Sequence, residues 1–350
     1  MPDEFVVPPP ATPGDRVAVI APSRGAAAHH RDVLTLGLDR LRDVFDLQPV
    51  VYPTARQSDA FLRDRPRTRA ADVHAAFRDP DISAVFATIG GDDQLRILKH
   101  LDPDVLRQNP TRFFGMSDNT NLALFLWKQG IVSFYGGQIL NQVATPGFLP
   151  EYTERYLRRA LFEASLGEIE PAKQWTDDVV DWGAEDYVEQ EPEYEDNDGW
   201  RWHGDRPVDG RLWGGCLAIL RWQLVADMYL PDPTALDGDI LAIETSEQRP
   251  SANRVRWTLQ AMGERGLLQR FDGVLVGRPQ TRHRFDDQTD DERMEYRRDQ
   301  HDAIRSLLDR YNSEATAVFD LDFGHTNPTV PVPIGGQVEV DPATETINFP

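Results

Sequence analysis

The stretch TRFFGMSDNTNLALFLWKQGIVSFYGG, residues 111–137, decides how the rest of the chain is read. Its aromatic start has the look of a short buried strand that stops at Gly115. The polar knot Ser117-Asp118-Asn119-Thr120 then opens a leucine-rich run with helical spacing, and IVSFYGG follows as a second short apolar run. Strand, helix and strand at these lengths form one step of a mostly parallel sheet with helices on both faces.

The same alternation extends toward the N-terminus. DRVAVIAPS (15–23) is a buried strand ending in a Pro-Ser turn, VLTLGLDRLRDVF (33–45) has helical spacing, and QPVVYP (48–53) is a second apolar run. TRAADVHAAFRDPD (68–81) is helix-like, ISAVFATIGG (82–91) is a strand running into two glycines, and QLRILKHLD (94–102) is another helix. In such sheets the chemistry gathers where strands hand over to helices at their carboxyl ends.

Beyond residue 165 the texture changes. Residues 166–208 are rich in carboxylates and hold Trp175, Trp182, Trp200 and Trp202 without a sustained period, so they are expected to be a linker or lid. From 209 a second domain begins. GRLWGGCLAILRWQL (210–224) reads as a glycine turn into a helix, and GDILAIETSE (238–247) as a strand ending on a carboxylate. SANRVRWTLQAMGERGLL (251–268) is a helix capped by Ser251, and FDGVLVGRPQ and the 316–341 stretch supply further strands. HRFDDQTDDERMEYRRDQ (283–300) is a solvated loop entering a helix. The expected organisation is α/β, with an N-terminal domain at 1–165, the tryptophan-rich segment at 166–208 and a C-terminal domain at 209–350.

Composition narrows the function classes. With 350 residues and 40% apolar content the chain can fill two cores. A formal charge of −21 repels nucleic acid and anionic membranes, so neither is an expected partner. Only Lys99, Lys128 and Lys173 are lysines among 37 basic residues, which fits either a high-salt cytoplasm or arginine-biased coding. The acidic, proline-rich start lacks the pattern of a signal peptide, and the single Cys216 agrees with a reducing compartment, so a cytoplasmic location is expected. No metal-ligand spacing, phosphate loop or dinucleotide fingerprint is present, and no cofactor is expected.

Ser117 has two readings. A Ser-Asp-Asn-Thr cluster before an apolar run is what helix capping looks like. Alternatively, Gly115, one bulky residue and Ser117 make a sharp strand-to-helix turn that presents a nucleophilic hydroxyl, although the second glycine of the GxSxG elbow is missing. A nucleophilic serine needs a base and the base an orienting carboxylate. Of eight histidines, His325 in DLDFGHTNP follows a strand and a glycine, whereas the others fall in polar helix or loop contexts or, for His203, in the tryptophan-rich segment. Glu244 ends the apolar run DILAI, where a cap, an ion-pair partner or a triad acid would stand. Gly90 and Gly91 are either a plain turn or a source of backbone oxyanion donors together with Asp118. Cys216 after two glycines is a rival nucleophile or a small buried residue.

The pieces GDRVAVIAPS, ATIGG, GMSDNTNLAL, FYGG, GRLWGGCL, AIETSE and FGHTNPTVPVPIGG fall in one order along nearly the whole chain. In these the chain resembles the serine peptidase family that contains the bacterial LD-carboxypeptidases and the microcin C self-immunity proteins. The resemblance implies a flavodoxin-like or amidotransferase-like N-terminal domain, a smaller C-terminal domain of mixed β structure, and a homodimer. It implies Ser117 as nucleophile, His325 as general base and then acid, Glu244 as the residue holding the imidazole, and Gly91 and Asp118 as oxyanion donors. It further implies a substrate face at Trp175, Trp182, Trp202 and Cys216, with Cys216 standing where asparagine is common in the family. The expected activity is hydrolysis of an amide or peptide bond in a small peptide or an aminoacyl- or peptidyl-nucleotide. The alternatives are a murein tetrapeptide LD-carboxypeptidase proper, a non-catalytic protein that sequesters aminoacyl-nucleotide compounds, and a Cys-dependent amidotransferase.

Overall fold

The short apolar runs and helical periods become two sheets. The computed structural model describes residues 4–178, 180–283 and 287–350. In chain order the first strands are β1 (Arg16–Ile20), β2 (Gln48–Val51), β3 (Ile82–Ala87), β4 (Arg112–Gly115) and β5 (Ser133–Tyr135). Next come β6 (Gly167–Ile169), β7 (Gln174–Trp175), β8 (Glu195–Asp196), β9 (Arg201–His203), β10 (Val208–Cys216), β11 (Ile240–Glu244) and β12 (Gly273–Gly277). The last are β13 (Thr316–Leu321), β14 (Val332–Ile334), β15 (Gln337–Asp341) and β16 (Thr346–Phe349).

One compact unit comprises Met1–Leu166, Val180–Pro192 and Thr329–Gly335. Its six-stranded sheet has the order β14-β5-β4-β3-β1-β2. Neighbours are parallel except β14, which runs antiparallel to β5. The order 2-1-3-4-5 is the flavodoxin-like one, and it reverses at β1 and β3, where such folds leave a crevice beyond the strand ends. β3 and β4 are buried almost throughout, as parallel strands covered on both faces must be. Phe86, Phe114 and Phe134 stack across β3, β4 and β5 with centroids 4.8 and 5.0 Å apart. The helix Thr120–Lys128 is buried from Thr120 to Trp127, which explains why its sequence is apolar all round. The 94–102 run is a 3-10 segment, Gln94–His100, instead of the expected α-helix. Gln94 is tied down by its backbone N–H to Asp118 and by its side chain to Asn119 and the Leu122 N–H, which competes with a regular first turn.

Arginine has an interior role here. Arg112 is fully buried and its guanidinium donates to the carbonyls of Pro8, Pro9, Ala160 and Glu163. A lysine ammonium cannot span four acceptors in this fork geometry, so part of the arginine preference follows from packing.

The second unit comprises Gly167–Val179, Glu193–Pro328 and Gly336–Pro350. Its eight-stranded sheet has the order β6-β16-β15-β10-β11-β12-β13-β9, with β10 to β13 parallel and the flanking strands antiparallel. The N-terminal parallel sheet and the mixed second sheet are thus as the sequence led us to expect. Two local readings change. The 210–216 stretch is not a glycine turn: β10 runs straight through Gly214 and Gly215 to Cys216. A Cβ on Gly214 would lie 2.0 Å from the Ala242 carbonyl oxygen of β11, so these glycines permit close strand approach. The 166–208 segment contains strands as well as loop. β6 and β9 form the two edges of the large sheet and β7 pairs with β8, each strand being too short to show alternation.

The acidic run at 283–300 becomes helical at Asp290, and its residues 284–286 lie outside the described residues. Thr289 and Glu292 form a reciprocal capping box there. Among the described residues no helix is long and apolar enough to cross a membrane.

Gly214→Ala is expected to destabilise the chain by more than about 2 kcal/mol, because the added methyl meets backbone that cannot rotate away. Chemical denaturation of the variant against the parent checks this.

Candidate functional site

In the first unit the buried strand β4 ends at Gly115, Met116 is extended, and Ser117 turns the chain with φ of 60°. A non-glycine residue in this region carries strain of about 1–3 kcal/mol and persists only where its surroundings hold it. Two hydrogen bonds do so: the Ser117 N–H donates to Tyr135 Oη at 2.9 Å, and Thr120 Oγ1 donates to the Ser117 carbonyl at 2.7 Å. The helix that follows has Asn119 as its N-cap residue and no side-chain capping bond, so Ser117 does not act as its cap. The hydroxyl sits on the exposed side of a half-buried turn at the carboxyl end of the sheet.

The end of β3 lies against this turn. A Cβ on Gly90 would stand 2.7 Å from Ser117 Cβ, 3.1 Å from Oγ and 3.2 Å from the Asp118 nitrogen, so only glycine fits. Gly91 faces the loop after β1, where a Cβ would lie 2.6 Å from Ser23 Oγ. Asp118 is fully buried, and its Oδ2 accepts from the Ser23 hydroxyl, the Asp93 N–H at 2.9 Å and the Gln94 N–H at 2.8 Å. Its Oδ1 accepts from Asn121 Nδ2 at 2.9 Å. Burial pushes the Asp118 pKa up, against the opposing pull of those donors. Ser23, Gln94 and Tyr135 were not picked out from sequence; the Pro-Ser turn after the first strand was the one available signal.

In the second unit Glu244 is the last residue of β11 and is buried. His325 follows β13 in the turn, and its Nδ1–H donates to Glu244 Oε2 at 2.6 Å. Glycines clear the space: a Cβ on Gly324 would lie 2.8 Å from Glu244 Oε2, and one on Gly277 would lie 2.8 Å from Glu244 Cβ. The other ring nitrogen, Nε2, lies 3.1 Å from Glu247 Oε2, a residue absent from the sequence-based set. Burial by itself would push the His325 pKa down, but the charge and hydrogen bond of Glu244, with those of Glu247, hold it up at about 10.

Cys216 pairs with Glu244 in the β10–β11 register and is buried. Burial and the charge of Glu244 push its thiol well above the ordinary range, opposite to what a nucleophilic cysteine requires. The tryptophans are divided between the units. Trp182 belongs to the first, half-buried with its ring edge-on to His30 at 5.3 Å. Trp175 belongs to the second, buried beneath the guanidinium groups of Arg278, Arg297 and Arg293 at 4.8, 5.9 and 6.0 Å. Trp200 donates to Asp322, and Trp202 is half-buried on β9. Among the described residues no group of three or more His, Cys, Asp or Glu side chains is placed to hold a metal ion.

Residues 17–136 match the LD-carboxypeptidase N-terminal domain model, and residues 209–340 match the LD-carboxypeptidase C-terminal domain model. The chain belongs to the LD-carboxypeptidase family. Ser117 lies within the first matched region, and Glu244 and His325 within the second. The Streptomyces coelicolor protein SCO6489, which bears a carboxypeptidase name, is 30% identical over 99% of this chain and 96% of its own length. The Escherichia coli microcin C7 self-immunity protein MccF is 24% identical over 97% of this chain and 94% of its own. Among solved structures, an MccF-like protein from Streptococcus pneumoniae in complex with AMP superposes with a TM-score of 0.86 at 28% identity, covering 96% of this chain and 98% of that one.

Two outcomes follow for the family fold in this chain. Ser117→Gly is expected to be more stable than Ser117→Ala by about 1 kcal/mol, since glycine adopts positive φ without strain; thermal melts of the two variants decide it. The raised His325 pKa contributes stability that is full below about pH 6.5, the ordinary histidine value, and is lost as pH rises toward about 10. Denaturation across pH 6 to 10 is therefore expected to show a steeper loss in the parent than in His325→Gln.

Proposed function

We propose that this chain is a serine hydrolase that cleaves an amide or peptide bond through an acyl-enzyme, with Ser117 as nucleophile, His325 as base and Glu244 as the residue that orients the imidazole. The observation that carries this reading is the buried Glu244–His325 pair at 2.6 Å, in a turn cleared by glycines. Such a carboxylate selects the Nδ1–H tautomer and stabilises the imidazolium formed when Nε2 takes a proton. Ser117 Oγ attacks the carbonyl carbon while its proton passes to Nε2. The backbone N–H groups of Asp118 and Gly91 are assigned to the oxyanion, each worth about 3 kcal/mol in the transition state. Nε2 then protonates the departing group, and water attacks the acyl-serine with Nε2 again as base.

We assign the substrate to the aminoacyl- or peptidyl-nucleotides. This is supported by the S. pneumoniae relative in complex with AMP and by MccF, which is solved with aspartyl sulfamoyl adenosine. Trp182 and Trp202, both partly exposed, are the aromatic faces offered to a base; Trp175 and Cys216, both buried, would support the substrate face from behind. The murein tetrapeptide reading draws on a Bacillus subtilis relative named a murein peptide carboxypeptidase, 25% identical over 95% of this chain. A cytoplasmic homodimer is part of the same proposal.

Incubation with aspartyl sulfamoyl adenosine and with an L,D-tetrapeptide, followed by mass spectrometry, distinguishes the branches. Ser117→Ala is expected to lower kcat on the order of 10⁴-fold or more with the fold retained. Undiminished turnover in that variant would remove the serine mechanism, and binding without any product would favour a sequestering protein.

A further inference from the structure

The ring nitrogen that a base must keep available is occupied. His325 Nδ1 faces Glu244 Oε2 at 2.6 Å and Nε2 faces Glu247 Oε2 at 3.1 Å, so both nitrogens donate and the ring has no lone pair with which to accept a proton. The two carboxylates are unlike. Glu244 is wholly buried at the end of β11, with Gly277 and Gly324 closed against it. Glu247 stands three residues further on, outside the strand, and its side chain is 59% exposed. One partner is fixed by packing and the other is free to swing into water.

The geometry points to Glu247 as a displaceable latch on the general base, one that selects substrates carrying an ammonium group beside the scissile carbonyl. This inference rests on the reading of His325 as the base. The substrate ammonium takes the place of the imidazolium as the partner of Glu247, and Nε2 loses its acceptor. The Nε2 proton then passes to solvent, leaving a neutral imidazole whose lone pair can receive the serine proton, while Nδ1–H stays on Glu244. The exchange is inexpensive because an ion pair with one exposed member is worth about 0–1 kcal/mol. A substrate whose amine is acylated offers no charge to Glu247 and leaves the latch shut.

No other charge competes for the ring among the groups around it. Glu244 comes from β11, Glu247 from the loop after it, and Gly277 and Gly324 are the uncharged contributions of β12 and of the histidine's own turn. Nearby, Arg278 is paired with Asp322, and His301 with Asp320. The high pKa of His325 agrees with a ring held by two carboxylates.

The test compares aspartyl sulfamoyl adenosine with its N-acetyl form across pH 5 to 10, in the parent, Glu247→Gln and Glu247→Ala. The parent is expected to favour the free amine by about tenfold or more in kcat/KM at pH 7, and both variants to lose most of that preference. With the N-acetyl substrate, the acid limb of kcat/KM in the variants is expected to move down by about one pH unit or more, as removing a carboxylate lowers the imidazole pKa. A second readout does not need turnover. In Ser117→Ala, NMR titration of the His325 ring should show its midpoint falling when aspartyl sulfamoyl adenosine binds and staying put with the N-acetyl form. Unchanged preference and acid limb in both variants, or equal midpoints with the two ligands, overturns the latch. Retained turnover in Ser117→Ala sinks the hydrolase reading on which it stands, and the ring titration still reports whether Glu247 responds to an ammonium group.

Discussion

A carboxylate with no access to water must be met by donors on every side, and in the first unit that demand falls on Asp118. An isolated buried charge costs several kcal/mol, so the Ser23 hydroxyl, the Asp93 and Gln94 N–H groups and the Asn121 amide are held to it. Those donors come from the loop after β1, the loop after β3 and the helix after β4. One residue thereby joins the three loops that surround the switch point of the sheet. Ser117 is adjacent in sequence, and its left-handed backbone is sustained by this fastening together with Tyr135 and Thr120.

The second unit solves a related problem by removing atoms. Glu244 can be buried beside His325 because Gly277 and Gly324 carry no side chain into the same volume, and β10 can approach β11 because Gly214 carries none either. In both units a polar group at a strand end is made tenable by its neighbours: by donors around Asp118, and by vacant Cβ positions around Glu244. The consequence at Glu244 is electrostatic. A buried carboxylate with a single imidazole partner keeps that ring protonated, and a second carboxylate on the other nitrogen strengthens the effect.

Much of the site was legible because the relevant residues end apolar runs. Ser117 follows TRFFGM, Glu244 ends DILAI and His325 follows TAVFDLDFG, and a strand pattern terminated by a polar residue is visible without coordinates. Ser251 as a helix cap was visible for the same reason: a cap acts on residues three positions away, and its side chain accepts from the Arg254 N–H at 3.3 Å. The 210–216 glycines were misread because a glycine pair signals a turn locally, whereas here it answers a backbone that arrives from residue 242. The edge strands β6 and β9 escaped notice because three residues cannot display a period. Trp175 was expected to offer its ring to a substrate, and its burial under three arginines became evident only with residues 278, 293 and 297 in place.

The sequence by itself determined the α/β alternation, the strand ends on which Ser117, Glu244 and His325 stand, and the order of motifs that marks the family. These are local properties, written in periodicity and in the residues that interrupt it. The tertiary structure alone decided that Nδ1 of His325 meets a carboxylate 81 positions away, that Nε2 meets Glu247, and that Asp118 is sealed from water. Those outcomes depend on parallel strands in register and on the volume that missing side chains leave open, and neither quantity is carried by any one segment of the chain.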